Sequence, residues 1–325
     1  MEIHLVENWQ ADHKYKAHSE NTYDHYYELC RELYFTDNPD HQSFNNDVRK
    51  IGIDTKNLFS NDNKFFVNSE YQSVISQVAK SCGKAITFFG RERKELPQRS
   101  LDGHLLHNIS ANHGNLLNEK MEELLAMIMP TVEREYVGAY CRPWYVSASR
   151  TLLLSDISAD SVRHDCGTAF QWHSDQTMSQ SFKLFFYLTD VDEGSAPFTY
   201  LVDPDGNPVN LEGEDWIYIA RSEEEHKKLN TGRSKQSRIP IEEINMLKSK
   251  GYKEREVYMP AGSFMVFRPN YYHKATIAKK RVRDVLQVQL RPVLKKPETY
   301  WLGSEAQTHN HQFKTQHQHD WWAYN

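Results

Sequence analysis

His173-Ser174-Asp175 sets an imidazole and a carboxylate two residues apart. On a β-strand residues i and i+2 point the same way, so both side chains can address one point. Together they are two thirds of the facial triad that binds non-haem Fe(II) and leaves positions open for small molecules. The third donor would be a histidine from a distant strand. His273 suits that place, because it follows the run Phe264-Met265-Val266-Phe267 and its exit Arg268-Pro269-Asn270-Tyr271-Tyr272. By itself the triplet says little: in a chain with 16 histidines, about one His-x-Asp arises by chance. A lone histidine is also more often a hydrogen-bonded core or surface residue. What carries weight is the order: a triplet at a strand end, then a second histidine at another strand end, then an arginine opening a third strand.

That arginine is Arg283, in Arg281-Val282-Arg283-Asp284-Val285-Leu286-Gln287-Val288-Gln289-Leu290. Alternation puts Arg283 on one face with Val285 and Gln287, and Asp284 on the other. A guanidinium projecting into a barrel needs an anion, since an unpaired buried charge is very unfavourable. Its planar fork fits a carboxylate, such as the C5 carboxylate of 2-oxoglutarate, through two parallel hydrogen bonds. Arg281 has the same parity and remains an alternative; Arg283 is favoured because it opens the apolar strand proper.

Two kinds of element must position these residues. The first ~140 residues are mixed with helices prominent. Tyr23, Tyr26, Tyr27, Cys30, Leu33 and Tyr34 recur at helical spacing, Ser69-Glu70-Tyr71-Gln72 reads as a capping box, and Asn118 opens a helix that Pro130 is expected to end. From about residue 140 the period falls to two. Strands are expected over 146–157, 168–173, 182–188, 256–259, 264–267 and 283–290, with a turn at Pro260-Ala261-Gly262. Such short strands point to a sandwich, barrel or jelly roll. A polar insertion, 204–252, carries two expected helices, the second from Pro240 to Gly251. The expected organisation is a helical support region at 1–139, a β core at 140–293 that contains the insertion, and a tail at 294–325.

Composition narrows the function classes. A mean hydropathy of -0.75 and the lack of a long apolar run argue against a membrane span. The start MEIHLVENWQADHK has no basic leader or apolar core, so a cytoplasmic protein is expected. A net charge of -5 gives no reason to expect nucleic acid. Cys30, Cys82, Cys141 and Cys166 form no CxxC pair, and His164 with Cys166 lacks the four-ligand spacing of a zinc site. The His- and Gln-rich stretch 307–319 reads as a solvated tail.

The stretch 167–202, GTAFQWHSDQTMSQSFKLFFYLTDVDEGSAPFTYLV, resembles the core of phytanoyl-CoA dioxygenase-like Fe(II)/2-oxoglutarate oxygenases. PAGSFMVFRPNYYH, residues 260–273, is similar to that family's approach to its second metal histidine. The resemblance spans roughly 140–293, with its segments in the family's order. It implies a mainly β fold, a double-stranded β-helix of jelly-roll or cupin-like type with N-terminal helices and a helical insertion. It also implies iron on His173, Asp175 and His273, with 2-oxoglutarate on Arg283. Many members place Ser or Thr two residues after the distal histidine; here that position is Ala275, and either the following Thr276 or another group must supply the hydroxyl.

The implied reaction consumes O2 and 2-oxoglutarate, releases succinate and CO2, and hydroxylates a C–H bond. Retention of Asp175 favours hydroxylation over halogenation, since the related halogenases replace this carboxylate with a small residue. The expected partner is a small molecule. Trp172, Phe185, Tyr187, Tyr271 and Tyr272 would suit a lipid-like one, and Arg233, Lys235, Arg238, Lys279 and Lys280 an anionic one. Filling of the barrel and a solvated basic face are the plainer readings of these two groups. A cupin-like metal enzyme that does not use 2-oxoglutarate, or a silent binding protein on the same fold, are the competing classes. The first gives Arg283 no special role; the second usually lacks a ligand.

Overall fold

The computed structural model describes residues 20–44, 46–47, 54–57, 73–82, 104–107, 114–151, 153, 172–175, 181–209, 239 and 241–301. Two antiparallel sheets dominate it. The larger has the order β1 (Asp54–Asn57), β7 (Ser263–Phe267), β4 (Phe182–Tyr187), β9 (Arg283–Val293), β3 (Tyr140–Thr151), β2 (His104–His107). The smaller runs β6 (Lys253–Val257), β5 (Phe198–Val202), β8 (His273–Ala275).

Period-two alternation gives the larger sheet two different apolar faces. Phe182, Leu184 and Phe186 of β4, Phe264 and Val266 of β7, and Leu286, Val288 and Leu290 of β9 share one cluster with the helices. Those helices are α1 (Glu20–Asp37), the helical residues 73–82 and α2 (Gly114–Val132). The opposite face offers Tyr187, Met265, Phe267 and Val285, which pack with Phe198 and Val257 of the smaller sheet. Both sheets therefore contribute to one inner layer, and the helices back the other side.

Pro130 does not end its helix. α2 continues to Val132, followed by a wide π-turn over Glu133–Val137. Proline removes one backbone bond, at about 3 kcal/mol in a helix interior. Complete burial of Ile128, Met129, Val132 and Val137 offsets that loss. The stop comes at Gly138, with φ of 66° and its N–H donating to Glu133 O. A Cβ there would lie 2.7 Å from the Arg31 guanidinium, so glycine is required by space as well as by backbone angle.

Gly262 adopts φ of 81°, and Ser263 N–H donates to Pro260 O at 3.2 Å, closing the expected turn into β7. The insertion's second helix, α3, runs Ile241–Ser249. Strands β1, β2, β5 and β8 are not among those picked out from periodicity. Four of the expected features fall wholly or largely outside the described residues: the capping box at 69–72, the strand over 168–173, the insertion's first helix and the His-rich tail. No helix among the described residues is long and apolar enough to cross a membrane.

Candidate metal centre

His173 and His273 face each other across a single antiparallel bridge, with His173 N–H donating to His273 O at 2.9 Å and the reverse bond at 3.0 Å. Asp175 N–H donates to Pro269 O at 2.9 Å, so both ends of the triplet are tied to the segment that ends in the second histidine. This backbone pairing brings together residues a hundred positions apart. Ligand atoms of His173, Asp175 and His273 all lie within 4.8 Å of one another, a group suited to a metal ion.

The side chains are aimed as well as gathered. His273 Nδ1–H donates to Tyr271 O at 2.6 Å, which fixes the tautomer and turns Nε2 toward the other donors. Its ring stacks on Phe198, centroids 5.2 Å apart, and meets Phe267 edge-on. Burial, with the neighbouring His173, lowers its pKa to about 3, so the imidazole is neutral and available as a ligand. For Asp175, burial alone would raise the carboxyl; Lys183 and the two imidazoles outweigh it and hold the group well below the usual carboxylate range. Oδ1 of Asp175 lies 3.6 Å from Nε2 of His173 and 3.9 Å from Nε2 of His273, while Oδ2 accepts from the Lys183 ammonium.

Ligand-bearing segments are held from behind by the insertion. Trp172 and Tyr272, each one residue before a histidine, turn away from the centre and pack with Leu201, Ile239 and Ile244. Ile239 N–H donates to Trp172 O, and the Tyr272 hydroxyl to Glu243 Oε1. Of the aromatic residues expected to flank the ligands, only Phe185, Tyr187 and Tyr271 belong to the inner layer; alternation sends Trp172 and Tyr272 to the other side.

Arg283 opens β9 opposite Thr151 and is 4% exposed. Nη2 donates to the Thr151 hydroxyl at 3.3 Å, and Nε and Nη1 have no hydrogen-bond partner among the described residues. The adjacent Asp284 offers no neutralisation, since it points the other way and accepts both bonds of the Arg150 fork at 2.8 and 2.7 Å. Burial lowers the Arg283 pKa. The neighbouring Tyr187 hydroxyl is likewise buried without a partner, its pKa pushed up by burial to about 12. Arg281 is exposed and paired with Asp192. Thr276 donates its only hydroxyl proton to Pro197 O at 2.9 Å.

Lys183 was not anticipated from the sequence. The signal was present: one cation in the otherwise apolar strand Phe182-Lys183-Leu184-Phe185-Phe186-Tyr187, with the parity of Phe185 and Tyr187.

No protein-family model matches the sequence, and no curated protein matches it. Several solved structures are distantly similar. The non-haem α-ketoglutarate-dependent epimerase SnoN from nogalamycin biosynthesis is 12% identical, covering 75% of this chain and 78% of its own, with a TM-score of 0.37. HygX from Streptomyces hygroscopicus, with nickel and 2-oxoglutarate bound, is 11% identical over 75% of this chain and 84% of its own, TM-score 0.36. EctD from S. alaskensis, with 2-oxoglutarate and 5-hydroxyectoine, is 11% identical over 78% of this chain and 76% of its own, TM-score 0.38. Likeness this distant assigns neither a reaction nor a substrate.

Proposed function

We propose that this chain is a cytoplasmic Fe(II)- and 2-oxoglutarate-dependent oxygenase of the phytanoyl-CoA dioxygenase-like kind, hydroxylating a C–H bond of a small molecule. In this reading the two facing sheets are the halves of a double-stranded β-helix. His173, Asp175 and His273 hold the iron, and Arg283 holds the remote carboxylate of the co-substrate.

The observation that carries the reading is the Arg283 guanidinium. A buried cation left without an anion is strongly destabilising, and two of its nitrogens have no partner among the described residues. The donor set supports the metal: two imidazoles and one carboxylate suit Fe(II) and leave positions open. Iron, 2-oxoglutarate and O2 bound together supply oxidative decarboxylation to succinate and CO2 and delivery of an oxygen atom to a C–H bond.

The chain's own residues do the rest. Tyr271 O locks the His273 tautomer, and Phe198 and Phe267 fix the ring and keep water from it. Thr151 and Tyr187, rather than Thr276, stand beside Arg283 as hydroxyl partners for a bound carboxylate. Phe185 and Tyr271 give the inner layer an apolar wall for the substrate.

The test is an anaerobic titration of 2-oxoglutarate into the Fe(II)-loaded protein, followed in the visible. A new metal-to-ligand charge-transfer band is expected. Iron bound without the band would overturn the 2-oxoglutarate assignment in favour of a cupin-like metal enzyme. A protein that binds no iron would overturn the metal centre itself.

A further inference from the structure

Lys183 is a buried cation that the chemistry above does not use. It is the second residue of β4, in register with Gln289 of β9 and Phe267 of β7. Its side chain is 10% exposed, and its ammonium donates to Oδ2 of Asp175. The other oxygen of that carboxylate, Oδ1, is the one that faces Nε2 of both histidines. The carboxylate is thus divided, one oxygen toward the metal donors and one on a lysine.

We infer that Lys183 is a positioning residue that keeps Asp175 a one-oxygen ligand, so that a coordination position needed by the co-substrate or O2 stays open. A carboxylate binds a cation through one oxygen or two, and a freely rotating aspartate can turn both toward it. A charge-assisted hydrogen bond from a buried ammonium opposes that rotation, because swinging Oδ2 to the metal would strip the lysine of its partner. An ammonium has no lone pair, so Lys183 does not compete as a ligand. Its positive charge also draws on Asp175, so removing it does not weaken the hold on the metal.

The inference rests on the iron and 2-oxoglutarate reading, and the experiment separates the two. Wild type, Lys183→Met and Lys183→Arg are compared by Co(II) binding, read from visible absorption, and by the anaerobic Fe(II)·2-oxoglutarate band. Lys183→Met is expected to bind Co(II) as tightly as wild type or more so. Its affinity for 2-oxoglutarate should fall by a factor on the order of 10 to 100, taking as the scale the effect on metal affinity or activity of losing a hydrogen-bond partner behind a metal ligand. Lys183→Arg keeps a donor for Oδ2 and should recover most of that affinity. Unchanged 2-oxoglutarate affinity in Lys183→Met overturns the inference. So does weakened Co(II) binding in either variant, because Lys183 would then support the metal and not the open position. Wild-type protein that fails to bind Co(II), or binds it and gives no band, overturns the underlying reading instead.

Discussion

Arg283→Met should make the ligand-free protein more stable and at the same time remove its affinity for 2-oxoglutarate. The guanidinium is 4% exposed, has one 3.3 Å bond to Thr151, and leaves Nε and Nη1 unpaired among the described residues. Replacing buried charge with an apolar side chain of similar volume commonly stabilises by about 1–4 kcal/mol. At roughly 2 °C per kcal/mol for a chain of this size, the melting temperature should rise by about 2–8 °C. Binding moves the other way. Two charge-assisted hydrogen bonds of about 1.5–3 kcal/mol each are lost, so affinity should fall roughly 10²- to 10⁴-fold. Thermal melts with and without 2-oxoglutarate on metal-loaded protein read both effects, because a ligand raises stability by mass action only when it binds. Wild type should gain stability on addition of the acid, and the variant should start higher and gain nothing. A variant that melts at or below wild type without the acid, or keeps the same ligand-induced shift, would refute the argument that Arg283 is an anion site built at a cost in stability.

Asp175→Ala should lower Co(II) affinity by at least about 100-fold, measured by direct titration, because the sole oxygen donor of the trio is removed. Ile244→Ala should cost about 2–4 kcal/mol in urea unfolding, since Ile244 is fully buried under Trp172 and Tyr272. It should also weaken Co(II) binding, because the packing behind both histidine segments is lost; unaltered metal affinity would show that those segments hold their place without α3. Glu133 is buried and accepts from Cys141 N–H at 2.9 Å, and burial raises its pKa from 4.5 to about 8. In that window the unfolded chain releases a proton that the native one keeps, so stability falls as pH rises, by up to about 1.4 kcal/mol per pH unit. Glu133→Gln should flatten the decline between pH 5.5 and 8, and an unchanged slope would mean the carboxyl is ionised in the native protein.

Much of the centre could be read from spacing alone. His173 and Asp175 are two apart, and His273 follows another apolar run; both facts are local. So is the alternation that turns Arg283 one way and Asp284 the other, which the Arg150 fork on Asp284 reflects. The apolar stripe of α2 is likewise visible as Met121, Leu124, Leu125 and Ile128, all essentially fully buried. Local signals failed where the outcome depends on partners far away in the chain. Pro130 reads as a stop, yet burial of the residues after it carries the helix on to Val132. Edge strands β1 and β2 are only four residues each, too short for a period to register, and exist because β7 and β3 offer them free edges.

The same limit governs the site. Residue types and spacing sufficed to name three candidate donors that the structure gathers within 4.8 Å of one another, since coordination chemistry depends on which atoms a side chain carries. Arg281 and Arg283 have the same parity; the segment 279–281, whose N–H groups donate to Gly194 O, leaves the first outside on Asp192 and the second inside. Thr276 was the hydroxyl the sequence offered near the distal histidine, and Pro197 O takes its proton. Lys183 found its partner only when β4 was laid beside the segment carrying Asp175. Identity determines what a group can do; which group faces an anion, a metal or water follows from strand pairing across the whole chain.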